Sequence, residues 1–142
     1  MLRNTHTGET LATTYWQEGR YLPHELGRLD WIFRDHRSSS VLAIDARLFE
    51  LLHELAQAAG VPPSYQIISG YRTPATNAML AAKADGVSGR SLHMRGQAID
   101  VRLEGVTLAS LRDLALARQA GGVGYYPASN FVHLDVGRVR KW

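Results

Sequence analysis

The segment Ser91-Leu92-His93-Met94-Arg95-Gly96-Gln97-Ala98-Ile99-Asp100 sets a histidine and an aspartate seven residues apart around a glycine. Residues 97–103 alternate as a β-strand does, which places Asp100 within that strand between apolar neighbours. Burying a carboxylate there is costly unless it is paired or binds a metal ion. Because Gly96 permits a sharp turn, the chain can bring His93 back over Asp100.

A second histidine has similar surroundings near the C-terminus, in Phe131-Val132-His133-Leu134-Asp135-Val136. Strand alternation puts His133 and Asp135 on one face. Two imidazoles and one carboxylate form a common ligand set for catalytic zinc, which keeps a fourth position for water or substrate. The chain has no cysteine, so His, Asp and Glu are its strong metal ligands. On these residues alone, a buried His–Asp hydrogen bond without a metal is an equal alternative.

Arg72 closes the segment Ser69-Gly70-Tyr71-Arg72, which follows a predicted strand over 64–69. Such an arginine is often an ordinary surface residue in a turn. The alternative is a fixed cation that holds a substrate carboxylate or stabilises an oxyanion. The local sequence taken alone favours the surface residue.

The chain of 142 residues has the size of one domain, and no internal repeat divides it. Its net charge of +3 comes from scattered basic residues, so we expect no nucleic-acid partner. It has no run of about 18 apolar residues, so we expect no membrane-spanning helix. No signal peptide is visible at the N-terminus.

Apolar periodicity and turn residues predict four helices and five strands. Asp45 and Thr73 are expected to cap the second and third helices, and Gly60 to end the second. Most strands follow the helices, so we predict an α+β fold with a central antiparallel sheet and helices packed on it. The predicted helices cover 23–36, 45–59, 74–83 and a segment from Thr107 to Ala115. The predicted strands cover 9–16, 64–69, 97–103, 123–126 and 131–136, with a loop over 85–89.

Taken together, these motifs resemble the M15 family of zinc peptidases, and more closely its YcbK/MepK-like murein endopeptidase branch. The resemblance implies the Hedgehog/DD-peptidase α+β fold in a single domain over residues 1–142. The matching pieces extend over nearly the whole chain and comprise 4–9, 71–77, 91–100, 122–126 and 131–137.

The resemblance also implies roles for single residues. His93, Asp100 and His133 would bind Zn²⁺, and Arg72 would contact the substrate or steady the intermediate. The implied substrate is a peptidoglycan peptide with D-configured centres, cut by an endopeptidase at L,D (3–3) or D,D cross-links or trimmed by a carboxypeptidase. The branch is exported, so the implied location is the periplasm or the cell envelope.

One position departs from the M15 pattern. Many members carry Glu or Asp as general base three residues before the last zinc-binding histidine, and here this position is Asn130. Three possibilities stay open. Asp135 is the base, or it orients His133, or the base is another residue such as His6 or Glu9.

Asp135 is therefore a catalytic candidate beside Arg72. Tyr126 and Asn130 are candidate substrate-binding residues, with Tyr126 as a donor to the oxyanion. The rival interpretation is a non-catalytic murein-binding module on the same fold. Asn130 favours this module, whereas the complete set of metal ligands argues against it.

Overall fold

The computed structural model describes residues 1–83 and 89–142. The predicted loop over 85–89 lies, apart from Gly89, outside these residues. The helices are α1 (Pro23–Ile32), α2 (Ala46–Ala59), α3 (Pro74–Lys83), a 3₁₀ helix (Leu92–Arg95) and α4 (Leu108–Arg118). The strands are β1 (Leu2–Asn4), β2 (Thr10–Leu11), β3 (Trp16–Gln17), β4 (Arg20–Tyr21), β5 (Tyr65–Ser69), β6 (Ala98–Leu103), β7 (Gly122–Tyr126), β8 (Phe131–Asp135) and β9 (Arg140–Lys141).

Seven strands form one mixed sheet in the order β2-β1-β5-β6-β8-β7-β9, and β3 pairs with β4 in a separate hairpin. The central strands β5, β6, β8 and β7 pair antiparallel. The predicted α+β fold with a central antiparallel sheet is therefore confirmed. β1 joins β5 in parallel, and β9 joins β7 in parallel. β1 and β9 were not predicted, because two or three residues are too few to reveal alternation.

The core lies between the sheet and helices α1, α2 and α4. α2 contributes a buried stripe of Leu48, Leu52 and Leu55, which belongs to one apolar cluster with Ile67 of β5 and Ile99 of β6. The burial of this stripe stabilises the helix against the sheet. Within the described residues, every helix is too short or too polar to cross a lipid bilayer.

The predicted helix ends are confirmed where caps were expected. Asp45 accepts the N–H of Arg47 at 3.0 Å at the start of α2. Gly60 ends α2 in the left-handed conformation, with φ +72°. The Thr73 hydroxyl accepts the N–H of Thr76 at 3.1 Å at the start of α3. Each bond satisfies a backbone group that the helix itself leaves unpaired.

The predicted strand over 9–16 was wrong between β2 and β3, over residues 12–15. The Thr13 hydroxyl bonds to Glu25 of α1, and the Tyr15 hydroxyl donates to the Phe49 carbonyl oxygen of α2 at 3.0 Å. The segment thus leaves the sheet to contact the helices. The β-propensity of threonine and tyrosine does not distinguish these two uses.

The predicted first helix was too long, since α1 ends at Ile32, four residues early. The cause is Asp35, whose carboxylate accepts the N–H of Arg37 at 2.9 Å and so favours a turn over further helix. In contrast, α4 follows the expected cap at Thr107, includes the whole predicted apolar stripe and ends at Arg118, before Gly121-Gly122.

Asp35 ties this turn to the start of α3. It is buried, and its Oδ2 accepts the N–H of Thr73 at 3.0 Å. Burial raises the pKa of the Asp35 carboxyl, but the bonds from Thr73, Thr76, Arg37 and Ser38 outweigh burial and set the pKa below its ordinary value. The folded protein therefore stabilises the ionised carboxylate form of Asp35.

Replacing Asp35 by Asn should lower the free energy of unfolding by about 1–3 kcal/mol at neutral pH, because the new amide group would face a backbone N–H that needs an acceptor. The folded-state pKa is depressed. The extra stability of the wild type is therefore complete above the pKa of about 4 that the Asp35 carboxyl has in the unfolded chain. It is lost as the pH falls through the lower pKa of this carboxyl in the folded protein. Urea unfolding of both proteins from neutral to acid pH measures this difference.

The matched control is Asp113→Asn, since the Asp113 side chain is 66% exposed. Its free energy of unfolding should equal that of the wild type throughout. An Asp35→Asn defect that stays constant into acid would contradict this account.

Candidate active site and metal centre

The register of the central strands brings Asp100 and His133 together. Asp100 of β6 pairs with His133 of β8 on one side and with Ser69 of β5 on the other. Directly opposed residues of neighbouring strands project their side chains from the same face. Both side chains are buried. The carboxylate and the imidazole are thus neighbours on the most rigid part of the sheet.

His93 reaches the same place from the 3₁₀ helix. Ser91 caps this helix by accepting the N–H of His93 at 3.2 Å, and Gly96 ends it with φ +66°. A Cβ at Gly96 would lie 2.4 Å from the Ala43 carbonyl oxygen, so a larger residue would clash. The chain then enters β6, and His93 lies over Asp100 as the sequence predicted.

Hydrogen bonds turn one nitrogen of each imidazole toward Asp100. His93 donates from Nδ1 to the Gly70 carbonyl oxygen at 2.8 Å, which leaves Nε2 with its lone pair 3.3 Å from Asp100 Oδ1. His133 donates from Nε2 to Asp135 Oδ2 at 2.8 Å, which leaves Nδ1 3.0 Å from Asp100 Oδ1. An acceptor on the second ring nitrogen is the usual support of a metal-binding histidine.

Three acceptor atoms therefore converge in a buried site. The ligand atoms of His93, Asp100 and His133 all lie within 4.8 Å of one another, and we call these residues the metal centre. Lone pairs that face each other at this distance repel unless a cation or protons lie among them. A divalent ion that accepts nitrogen and oxygen ligands fits this donor set.

The same geometry shifts the pKa values of the metal centre. Burial raises the pKa of Asp100, but the charge of His93 and the bond from His133 hold it below its usual range. Burial lowers the pKa of His133, but its bonds to Asp100 and Asp135 raise it above the ordinary value. Both directions express one property, which is that the buried cluster attracts positive charge.

Arg72 lies beside the metal centre with its guanidinium fixed. Nη2 donates to Asp100 Oδ2 and Nε donates to Ser69 Oγ, both at 3.2 Å. The Arg72 backbone N–H donates to the His93 carbonyl oxygen at 3.1 Å. Burial lowers the pKa of Arg72 and the charge of Asp100 raises it, yet an arginine keeps its proton in proteins. The predicted cation therefore contacts the carboxylate that faces the two histidines.

Asp135 is fully buried, and both of its carboxylate oxygens accept hydrogen bonds. Oδ1 accepts from the backbone of Gly122 and Gly137 and from Arg140, at 2.8, 3.0 and 3.0 Å. Oδ2 accepts from His133 and Arg140, at 2.8 and 2.9 Å. Burial raises the pKa of Asp135, but these donors hold it well below its usual range. Asp135 contacts the side of the His133 ring that points away from Asp100.

Tyr126 and Asn130 lie where β7 turns into β8. Tyr126 stacks on Phe131 with ring centroids 4.7 Å apart, and its hydroxyl accepts the indole N–H of Trp142 at 2.5 Å. Asn130 is an exposed turn residue with φ +60°, a conformation that asparagine adopts more readily than most residues. Its carbonyl oxygen accepts from Arg102. The turn by itself is a physical reason for asparagine at this position.

The other two candidate bases, His6 and Glu9, lie on the β1–β2 side of the sheet. The His6 ring stacks on His36 with centroids 3.9 Å apart, and its Nε2 lies 2.9 Å from the Ile68 carbonyl oxygen. Glu9 pairs with Arg34 at 2.8 Å. In the sheet order, β5 lies between β1 and β6, which carries Asp100. Neither His6 nor Glu9 belongs to the metal centre.

Two residues near His133 and Asp135, Arg140 and Trp142, were not predicted from the sequence. Arg140 pairs with Asp135, and the Trp142 ring lies 5.0 Å from the His133 ring, centroid to centroid. They belong to β9 or follow it directly, and β9 is too short to be found by periodicity. One signal was available, since a carboxylate buried in a strand needs a cation and Arg138 and Arg140 come shortly after Asp135.

A family model described as peptidoglycan L,D-endopeptidase MepK, an M15 peptidase family, matches residues 1–142. This chain belongs to that M15 peptidase family. Peptidoglycan L,D-endopeptidase MepK of Escherichia coli strain K12 is 44% identical over 141 residues, which are 99% of this chain and 78% of the relative. The Haemophilus influenzae protein named probable peptidoglycan L,D-endopeptidase MepK is 39% identical over 141 residues, 99% of this chain and 76% of the relative. No solved structure gives a significant match.

Family membership confirms the resemblance drawn from the motifs, and with it the expectation of a hydrolytic enzyme. The relatives are named as endopeptidases, which favours the peptidase over the non-catalytic module. The M15 family implies a metal ion. His93, Asp100 and His133 have the donor atoms and the spacing to hold one.

Replacing His93 or Asp100 by Ala should abolish metal retention, because each residue supplies one of three ligand atoms. The metal content of the dialysed proteins, measured by mass spectrometry of the elements, tests this. His53→Ala is the matched control, because His53 is an exposed histidine on α2. A full complement of metal in the Asp100→Ala protein would contradict the assignment.

Proposed function

We propose that this chain is a zinc-dependent peptidoglycan peptidase that acts as an endopeptidase on cross-links with D-configured centres, of the L,D (3–3) or the D,D type. The relatives are named as peptidoglycan endopeptidases, which supplies the substrate class. The observation that carries the proposal is the convergence of three buried potential ligand atoms beside a fixed arginine. Because its substrate is peptidoglycan, the protein would work in the periplasm or the cell envelope.

His93, Asp100 and His133 would hold the zinc ion through His93 Nε2, an Asp100 oxygen and His133 Nδ1. When bound, zinc supplies Lewis acidity and activates water for attack on a carbonyl group. The Gly70 carbonyl oxygen and the Asp135 carboxylate keep the proton of each imidazole on the nitrogen that faces away from the ion. The two ligand nitrogens thereby keep their lone pairs.

Arg72 would stabilise the negative charge that develops on the carbonyl oxygen of the bond being cut. Its guanidinium is already oriented by Asp100 and Ser69, so little reorganisation is needed during the reaction. Because 14% of its side chain is exposed, the group can contact a bound peptide. Tyr126 and Asn130 remain proposed substrate contacts on the β7–β8 side.

Asp135 would position His133 rather than accept the proton of the attacking water. Both oxygens of Asp135 already accept hydrogen bonds, from two backbone N–H groups and from the side chains of His133 and Arg140. A general base needs a free lone pair within reach of the water. The contacts of Asp135 therefore support the second of the three possibilities raised by Asn130.

Purified sacculi incubated with the zinc-loaded protein should release new muropeptides, detected by chromatography and mass spectrometry. Arg72→Ala should lower kcat by about 10²–10³-fold, the usual cost of losing a donor to an oxyanion, while zinc content stays unchanged. Arg28→Ala is the matched control, because Arg28 also pairs with a carboxylate but lies on α1. Identical muropeptide profiles with and without the wild-type protein would contradict the proposed function.

Asp135→Asn should weaken zinc binding by about 10–100-fold, because the His133 ring loses its charged support. Chelator competition measures the affinity, and thermal unfolding checks that the variant is folded. Activity should return at saturating zinc. An Asp135→Asn protein that is fully loaded with zinc but inactive would instead identify Asp135 as the base.

A further inference from the structure

Trp142 follows β9 at the edge of the sheet and lies against the metal centre. Its ring centroid is 5.0 Å from that of His133, with an angle of 49° between the rings. The residue is nevertheless 48% exposed. About half of the surface of this aromatic residue therefore faces solvent beside a candidate metal ligand.

The Trp142 indole is held in place from several directions. Two backbone hydrogen bonds to β7 fix its main chain. The Trp142 N–H donates to the Val123 carbonyl oxygen at 3.1 Å, and the Tyr125 N–H donates to the Trp142 carbonyl oxygen at 2.9 Å. The indole N–H donates to the Tyr126 hydroxyl, and the Arg140 guanidinium lies 4.8 Å from the ring centroid. A rigid aromatic surface loses little entropy when it binds a ligand.

Gly124 makes room for this arrangement. Gly124 pairs with His133 in the sheet, and a Cβ at Gly124 would lie 2.8 Å from Cε2 of Trp142. Since that contact is too close for two carbon atoms, the indole can lie over β7 only because residue 124 has no side chain. The local sequence thus accommodates Trp142 next to the metal centre.

Exposure alone does not mark a binding residue, and Trp31 makes this clear. Trp31 is also 48% exposed, its indole N–H bonds to Glu9, and the Arg34 guanidinium lies 3.9 Å from its ring centroid. It belongs to α1, which contacts the β2 edge of the sheet, opposite to β9. The two tryptophans differ in what lies beside them, and only Trp142 adjoins His133.

Trp142 and Arg72 lie on opposite sides of the metal centre. Arg72 follows β5 and Trp142 follows β9, so the two lie on opposite sides of the β6–β8 pair that carries Asp100 and His133. The Tyr126 hydroxyl accepts from Trp142, which leaves its own hydrogen available to a carbonyl oxygen. A bound peptide would thus meet a cation on one side and an aromatic surface with one donor on the other.

We propose that Trp142 is a substrate-positioning residue, whose exposed indole face packs on an aliphatic side chain of the cross-linked stem peptide next to the bond being cut. The proposal rests on the proposed function, because it takes the substrate from it. An indole face packs favourably on methylene groups and attracts a neighbouring positive charge. Trp142 therefore contributes to substrate affinity and to the choice of cross-link.

The test is the steady-state kinetics of the zinc-loaded variants on a purified 3–3 cross-linked muropeptide dimer. Trp142→Leu should raise KM about tenfold with kcat within about threefold of wild type, because the lost contact forms when the substrate binds. Its zinc content should equal that of the wild type. Trp142→Phe should recover most of the affinity, and the matched control Trp31→Leu should change neither constant.

Two results would overturn the proposal. One is an unchanged KM in Trp142→Leu. The other is a loss of zinc together with kcat, which would make Trp142 a structural support of His133. Failure of the wild type to cut any cross-link would reject the proposed function instead.

A second measurement keeps Trp142 unchanged in the test protein. Trp16→Phe/Trp31→Phe leaves Trp142 as the sole tryptophan of the chain's three. Rapid mixing of this zinc-loaded protein with the dimer should give a saturable change in fluorescence, whereas Trp16→Phe/Trp142→Phe should give none. No change in the first protein would overturn the proposal. A change without cleavage would keep the Trp142 contact and reject the peptidase.

Discussion

Three potential metal-ligand atoms that meet in a buried site are the constraint on which the rest of the site depends. His93 Nε2 and His133 Nδ1 both approach Asp100 Oδ1, at 3.3 and 3.0 Å. Their mutual repulsion must be offset by positive charge, which a divalent ion supplies with little motion of the protein. The neighbouring groups follow the same logic, since Arg72 neutralises the second oxygen of Asp100 and Asp135 holds the proton of His133 away from the site.

The antiparallel centre of the sheet is what makes this arrangement rigid. Asp100 and His133 are paired residues of two central strands, so their spacing is set by backbone hydrogen bonds. His93 is added by a turn at Gly96, and Arg72 by the end of β5. Such a frame keeps buried polar groups at fixed distances, as catalysis by preoriented charges requires. We propose that the more exposed aromatic side, around Trp142, accommodates the substrate.

The inner part of the site could be predicted because it is encoded locally. A polar residue in an apolar strand identifies Asp100 and His133, and Gly96 predicts the return of His93. A cation near Asp135 could be expected from the sequence, but Arg140 could not be chosen over Arg138, because Arg140 reaches Asp135 through β9, whose parallel pairing with β7 is set by the tertiary fold. The same holds for Trp142. For the fold, long periodic helices such as α2 were predicted well, whereas α1 was overextended because a side chain of Asp35 competes with the helix.

A crystal structure of the zinc-loaded protein, with the anomalous scattering of zinc used to locate the ion, tests the central claim most directly. We expect one zinc ion bound by His93 through Nε2, by an oxygen of Asp100 and by His133 through Nδ1, with Asp135 still bonded to the other nitrogen of His133. Zinc at another place on the chain, or bound to His133 through Nε2 with Asp135 displaced, would contradict the account.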